Sequence, residues 1–150
     1  MSDDVYFNEP GFEGEAGSVE GEKKNEAYSN IVRYCNIKYA MIDAIKSPTK
    51  GFETIIKRHF YLKKDEILKE CNKWLKYATV REASYTALVN DHNNSWCAEF
   101  KKDKKKYPEM LALAIKELEE AINEIPAPSF KELKILKTTK KKKIINKDNV

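Results

Sequence analysis

Arginine is nearly missing from this 150-residue chain. Of 28 basic residues only Arg33, Arg58 and Arg81 are arginine, and the other 25 are lysine. Sites that read phosphate or base edges favour the planar, bidentate guanidinium, so a net charge of +4 carries little weight for a specific nucleic-acid partner. The lysine excess reads more simply as the codon usage of an AT-rich genome. Cysteine is also scarce. Cys35, Cys71 and Cys97 are odd in number and far apart, which argues against a disulfide framework or a zinc site. No apolar run approaches the roughly 20 residues of a membrane span. Met1-Ser2-Asp3-Asp4 has neither the basic nor the apolar region of a signal peptide. The expected compartment is the cytoplasm, with the basic C-terminus also admitting the nucleus.

What is present is charge, and it is polarised. Residues 1–26 hold eight acids and two lysines, whereas residues 101–150 hold fourteen lysines and eight acids. With 35% charged residues and a mean hydropathy of −0.68, that asymmetry points to solvated segments around a neutral core. Four of the five glycines (Gly11, Gly14, Gly17, Gly21) fall in residues 1–24 with Pro10, a composition that predicts a flexible acidic lead-in. Its apolar patch, Val5, Tyr6, Phe7 and Phe12, needs covering.

From Asn25 the periodicity predicts helix: Tyr28, Ile31, Cys35, Tyr39, Ile42 and Ile45 recur every three or four residues. Ser47-Pro48 ends that run, because the residue before proline is pushed out of the α region. A second helix should open at Thr49 as N-cap and place Phe52, Ile55, Ile56 and Phe60 on one face. A third carries Ile67, Leu68, Cys71, Trp74, Leu75 and Ala78, with a kink expected near Tyr61-Leu62-Lys63 and with Asp65 and Glu66 suiting its N-terminus. A weaker fourth spans about 82–100, with Tyr85, Leu88, Val89, His92, Trp96 and Phe100 on its stripe. The clearest opens near Pro108 and carries Leu111, Ala114, Ile115, Leu118, Ile122 and Ile125 up to Pro126. The expected architecture is all-α, an irregular bundle of about five helices. It divides into a lead-in (1–24), a helical core (25–80), a helical extension (81–126) and a basic disordered tail (127–150).

Chemistry is thinly represented. Cys35 and Cys71 lie on apolar stripes and read as small buried hydrophobes. Cys97 follows His92 by five residues, a helical spacing that aims the two side chains apart. His59 and His92 stand without a ligand cluster, so no metal or cofactor is expected, and solvated or capping roles suit them. Gly11, Gly14 and Gly17 lack the following Lys-Ser/Thr of a phosphate loop. Lys140–Lys143 has no interleaved aromatics for base stacking.

Three separated segments are more telling. Tyr6-Phe7-Asn8-Glu9-Pro10-Gly11-Phe12, then Lys38-Tyr39-Ala40-Met41 through Ile45-Lys46-Ser47-Pro48 and His59-Phe60-Tyr61-Leu62-Lys63-Lys64, resemble the large ubiquitin-conjugating enzymes, in the branch of the giant inhibitor-of-apoptosis proteins. The resemblance covers about residues 5–78, and more faintly the helices to Pro126. It implies the helical C-terminal portion of an α/β ubiquitin-conjugating fold, without its sheet. In that family a cysteine accepts ubiquitin as a thioester from the activating enzyme and passes it to a substrate lysine, often with a ligase bound. On this alignment the chain begins after the strands, after the His-Pro-Asn-type element and after that cysteine. None of Cys35, Cys71 or Cys97 matches the nucleophile, so no catalytic residue is carried over. Tyr6, Phe7, Asn8, Glu9, Pro10 and Gly11 would border the thioester groove, with Asn8 and Glu9 toward the incoming lysine or serving only as a turn.

The resemblance therefore implies a fragment of a conjugating enzyme, inactive alone. Ubiquitin, activating enzyme, ligase and protein substrate would be the partners of the intact parent. The alternatives are a stand-alone helical interaction module of the ubiquitin pathway and, behind it, a basic nucleic-acid-binding protein. Without a sheet to cover them, the helical stripes are expected to leave apolar surface open to self-association.

Overall fold

The computed structural model describes residues 5–81 and 106–127. Among them there are helices and turns and no strand. A 3₁₀ turn (Glu13–Glu15) precedes α1 (Val19–Cys35), which runs without interruption through a π-helical stretch (Asn36–Ile42) into α2 (Asp43–Lys46). A turn leads to α3 (Glu53–Val80), and α4 spans Tyr107–Asn123. Residues 19–46 thus form one long rod, α3 a second, and α4 a third.

The first rod starts earlier than its apolar periodicity suggests, at Val19 rather than Asn25. Ser18 supplies the reason: its Oγ accepts from the Gly21 N–H at 2.9 Å, and Glu20 and Glu22 sit in the first turn, where acids favour a helix start. The rod stops at Ser47, as Pro48 requires. Its interior departs from a simple α pattern. The wider π turn shifts the phase of the residues that follow it, so Ile37 is fully buried while Tyr39, expected inside, is 47% exposed.

The expected break at Tyr61–Lys63 does not occur, and α3 is one 28-residue helix, about 42 Å long. Nothing in that stretch breaks a helix: it contains no Pro or Gly, and Lys63 and Glu66 pair at 2.7 Å one turn apart. Asp65 and Glu66 are accordingly mid-helix. Thr49 accepts the Phe52 N–H on its carbonyl at 2.9 Å, while the N-cap itself is Phe52 without a side-chain cap. Gly51, at φ +85°, makes this turn, a conformation that suits glycine. On α3 the buried positions are Phe60, Cys71 and Ala78; Phe52 and Ile55, expected on the core face, point to solvent. The expected fourth helix, with His92 and Cys97, and the C-terminal tail lie outside the described residues.

The stripe of α4 behaves as expected. Leu111, Ala114, Ile115, Leu118, Ile122 and Ile125 are all buried. Their helix rests in the angle between the two rods, touching α1, the π stretch, α2 and α3. Full burial of a large aliphatic side chain contributes roughly 1.5–3 kcal/mol, so α4 is a principal source of stability. Glu117 locks it in place. Its carboxylate accepts from Lys38 Nζ at 2.5 Å and from Lys46 Nζ at 2.7 Å, and Lys64 donates to Asn123 farther along.

Leu118→Ala removes a fully buried side chain and should lower unfolding free energy by about 2–5 kcal/mol in urea titrations. Hydrogen bonds from Lys38 and then Lys46 hold the Glu117 carboxyl below its ordinary 4.5. The bond to Glu117 raises Lys38 above its ordinary 10.5. The carboxylate's contribution is therefore present above pH 4.5 and lost as pH falls through the depressed native value. That of Lys38 is present below pH 10.5 and lost as pH rises through the raised one. Glu117→Gln should cost about 0.5–1 kcal/mol at neutral pH. The difference from wild type should shrink toward both extremes.

Candidate functional site

The segment Tyr6–Gly11 is not a free lead-in. Tyr6 is 4% exposed, and its backbone N–H donates to Asn25 Oδ1 at 3.1 Å. The ring lies among Phe7, Phe12 and Tyr28, with centroids 5.6, 4.7 and 5.9 Å away. The Tyr6 hydroxyl donates to Glu15 at 3.3 Å, and Lys24 pairs with the same carboxylate at 3.0 Å. Tyr6, at the centre of the apolar patch, is thus folded against Asn25 and Tyr28 of α1, while Phe12 stays 39% exposed.

Two consecutive backbone bonds shape the loop: the Glu9 N–H donates to Tyr6 O and the Phe12 N–H to Glu9 O, both at 3.2 Å. Gly11 adopts φ +93° and donates its N–H to Glu13 at 3.0 Å. Gly21 is needed for another reason. A Cβ there would stand 2.2 Å from the Glu15 carbonyl oxygen, so only glycine lets the 3₁₀ turn lie against α1.

At the tip Asn8 and Glu9 are exposed. Glu9 accepts a 2.7 Å bond from the Tyr28 hydroxyl. Partial burial, then this bond and the Glu9 charge, push Tyr28 up to about 12. The loop is therefore pinned at two points nineteen residues apart in sequence, Tyr6 to Asn25 and Glu9 to Tyr28, and it presents Asn8 outward between them. Sequence reading singled out Tyr6 to Gly11 by resemblance and did not foresee that Asn25, Tyr28, Glu15 and Lys24 hold this segment. Asn25 had no apolar periodicity to mark it, and Tyr28 read as an ordinary stripe residue.

Farther along, a groove of about 920 Å³ separates α1 from the C-terminal half of α3. At one end the Arg33 and Arg81 guanidinium carbons lie 5.8 and 4.9 Å from the centroid of the Tyr77 ring. A smaller cleft of about 280 Å³, floored by Met41, Ile67, Cys71 and Trp74, shares Glu70 and Trp74 with it. Cys71 is buried and its thiol is pushed up to about 11 by desolvation and then by Glu70, the opposite of an activated nucleophile. Cys35 is half-buried, and His59 is exposed. Among the described residues no group of three or more His, Cys, Asp or Glu side chains is placed to hold a metal. No described helix is long and apolar enough to cross a membrane.

Asn25→Ala strands the buried Tyr6 N–H. It should cost about 1–3 kcal/mol in thermal or urea unfolding and speed hydrogen exchange at the Tyr6 amide.

No family model matches the chain. Known proteins do match about half of it. A probable ubiquitin-conjugating enzyme of Acanthamoeba polyphaga mimivirus is 45% identical over 73 residues, 49% of this chain and 5% of that protein. The human dual E2 ubiquitin-conjugating enzyme/E3 ubiquitin-protein ligase BIRC6 (Bruce/Apollon) is 39% identical over 70 residues, 47% of this chain and 1% of that protein. A probable ubiquitin-conjugating enzyme of Caenorhabditis elegans is 35% identical over 72 residues, 48% of this chain and 10% of that protein. The chain thus spans a small part of each relative. Over about half its length it is homologous to ubiquitin-conjugating enzymes.

Proposed function

We propose that residues 5–78 are the C-terminal helical portion of a ubiquitin-conjugating domain, and that the chain supports ubiquitin transfer without carrying the thioester nucleophile itself. The observation that carries this reading is 35–45% identity over 70–73 residues to ubiquitin-conjugating enzymes from a virus, a human and a nematode. It is supported by the way Tyr6–Gly11 is held as a unit on α1.

In this reading the loop borders the groove in which a thioester-linked ubiquitin meets its acceptor lysine. Asn8 stands outward, able to hydrogen-bond the incoming amine or the developing oxyanion. Glu9 is fixed by Tyr28, so it contributes a steady negative charge at the rim. Both act as positioning groups. Neither described cysteine suits acyl transfer, because Cys71 is buried with a raised thiol pKa and Cys35 sits half-buried on α1. Ubiquitin, its activating enzyme and a ligase are the partners this function implies.

A second reading, a self-contained helical interaction module of the same pathway, is favoured by α4. That helix closes the two rods into a packed unit with Leu111 and Leu118 fully buried.

Incubation of the 150-residue chain with activating enzyme, ATP and ubiquitin should give no DTT-sensitive adduct on a non-reducing gel. A DTT-sensitive adduct lost on Cys35→Ser, Cys71→Ser or Cys97→Ser would overturn the claim that the nucleophile lies elsewhere. Joined to a catalytic segment from one of the relatives, the chain should support discharge to lysine. Asn8→Ala should then slow discharge several-fold and leave thioester formation unchanged.

A further inference from the structure

Two features meet at the start of α3. Phe52, Ile55 and Leu62 are large apolar side chains left 55%, 63% and 48% exposed. Ile55 and Leu62 are two helical turns apart, on one side of the helix and about 10 Å from each other. Beside them α4 delivers the chain. Ile125, Pro126 and Ala127 share a cleft of about 180 Å³ with Thr54, Lys57, Arg58 and Tyr61. Arg58, half-buried, stands three residues after Ile55 and four before Leu62, so it borders both on the helix surface. The chain beyond Ala127 therefore starts next to the apolar stripe.

The sequence that follows suits that stripe. Pro126 and Pro128 prevent α4 from running on. Ser129, with Glu132 three residues later, is the capping-box pattern of a new helix start. Phe130, Leu133 and Leu136 then recur at helical spacing. From Phe130 to Leu136 is about 9 Å of helix, close to the separation of Ile55 and Leu62. The step from Ala127 to Phe130 reaches up to about 10 Å, enough to cross Arg58.

We propose that residues 129–136 fold back as a short amphipathic helix onto the first half of α3, seating Phe130, Leu133 and Leu136 on Phe52, Ile55 and Leu62. The tether decides for this occupant. A linker of a few residues holds the segment at an effective concentration in the millimolar range. A second copy or a separate protein at micromolar concentration does not match that. The basic run Lys140–Lys143 begins beyond this helix and is left to solvent. The proposal does not depend on the conjugating-domain reading.

Trypsin digestion of the full chain, followed by mass spectrometry, tests this with an internal standard. Lys134-Ile135 and Lys143-Ile144 offer the same two residues across the scissile bond. Initial cleavage at Lys134 should be about ten-fold slower than at Lys143, since cutting tracks the population of the open form. The ratio should not change from about 2 to about 200 µM chain, as an intramolecular contact requires. Ile55→Gln combined with Leu62→Gln, both at exposed positions, should bring Lys134 to the rate of Lys143. Phe130→Gln should do the same from the other side of the contact. Lys116, within α4, should stay uncut in every variant, which reports the fold intact. Equal cutting at the two bonds in the wild-type chain would overturn the proposal, as would slow cutting at Lys134 that survives the variants. Protection that grows with concentration would assign the stripe to a second copy and overturn it equally.

Discussion

The structure depends on the docking of α4 into the angle between the two long helices. The rod formed by α1, the π stretch and α2 packs against α3 through α2, near the turn that joins them, and a groove of about 920 Å³ opens between α1 and the C-terminal half of α3. Two amphipathic rods in that arrangement would leave Ile37, Ile42, Ile45 and Phe60 without a third wall. Leu111, Ile115, Leu118 and Ile122 supply it. The Glu117 pairing with Lys38 and Lys46 sets the axial position of α4 and adds little energy of its own, as expected of a partly exposed ion pair. Hydrophobic area provides the stability, and the ion pair provides the register.

How much of this was legible in the sequence follows from which contacts are local. The α4 stripe was read correctly because a regular 3.6-residue period with proline near both ends leaves little ambiguity. The stop at Ser47-Pro48 was legible for the same reason, a rule about one dipeptide. Where the reading failed, tertiary context decided. Tyr39 followed the α period faithfully, but the π stretch moved it to solvent. Phe52 and Ile55 read as core because they are apolar and helically spaced, yet nothing in a single sequence says which side of an apolar helix a distant element will cover. The break expected at Tyr61–Lys63 came from a change of phase in the stripe. That change is real, and it marks a helix whose first half shows apolar residues on two faces rather than a helix that bends.

The candidate loop shows the same division. Tyr6 to Gly11 stood out by resemblance, and the structure makes the segment a turn with Gly11 at φ +93°. What holds the loop, Asn25 at Tyr6 and Tyr28 at Glu9, lies nineteen residues away and carries no motif. A polar residue buried inside a helix gives no periodic signal, since its partner is a backbone group whose position only the fold reveals. The close approach at Gly21 was equally hidden: the residue read as one glycine among four in a flexible stretch, whereas it lets a turn lie against helical backbone.

The long connection between α3 and α4 has a consequence for how the chain is made. The loop on α1 forms from segments about nineteen residues apart, so it closes early and cheaply. The α4 contacts join positions as distant as Lys38 and Glu117 and are the slow, non-local step. At about 5–20 residues per second, the ribosome needs roughly 2–9 s to advance from Val80 to Asn123. During that interval the inner faces of both rods are synthesised but uncovered. The nascent chain therefore passes through a stage at which chaperones have their best opportunity to engage it.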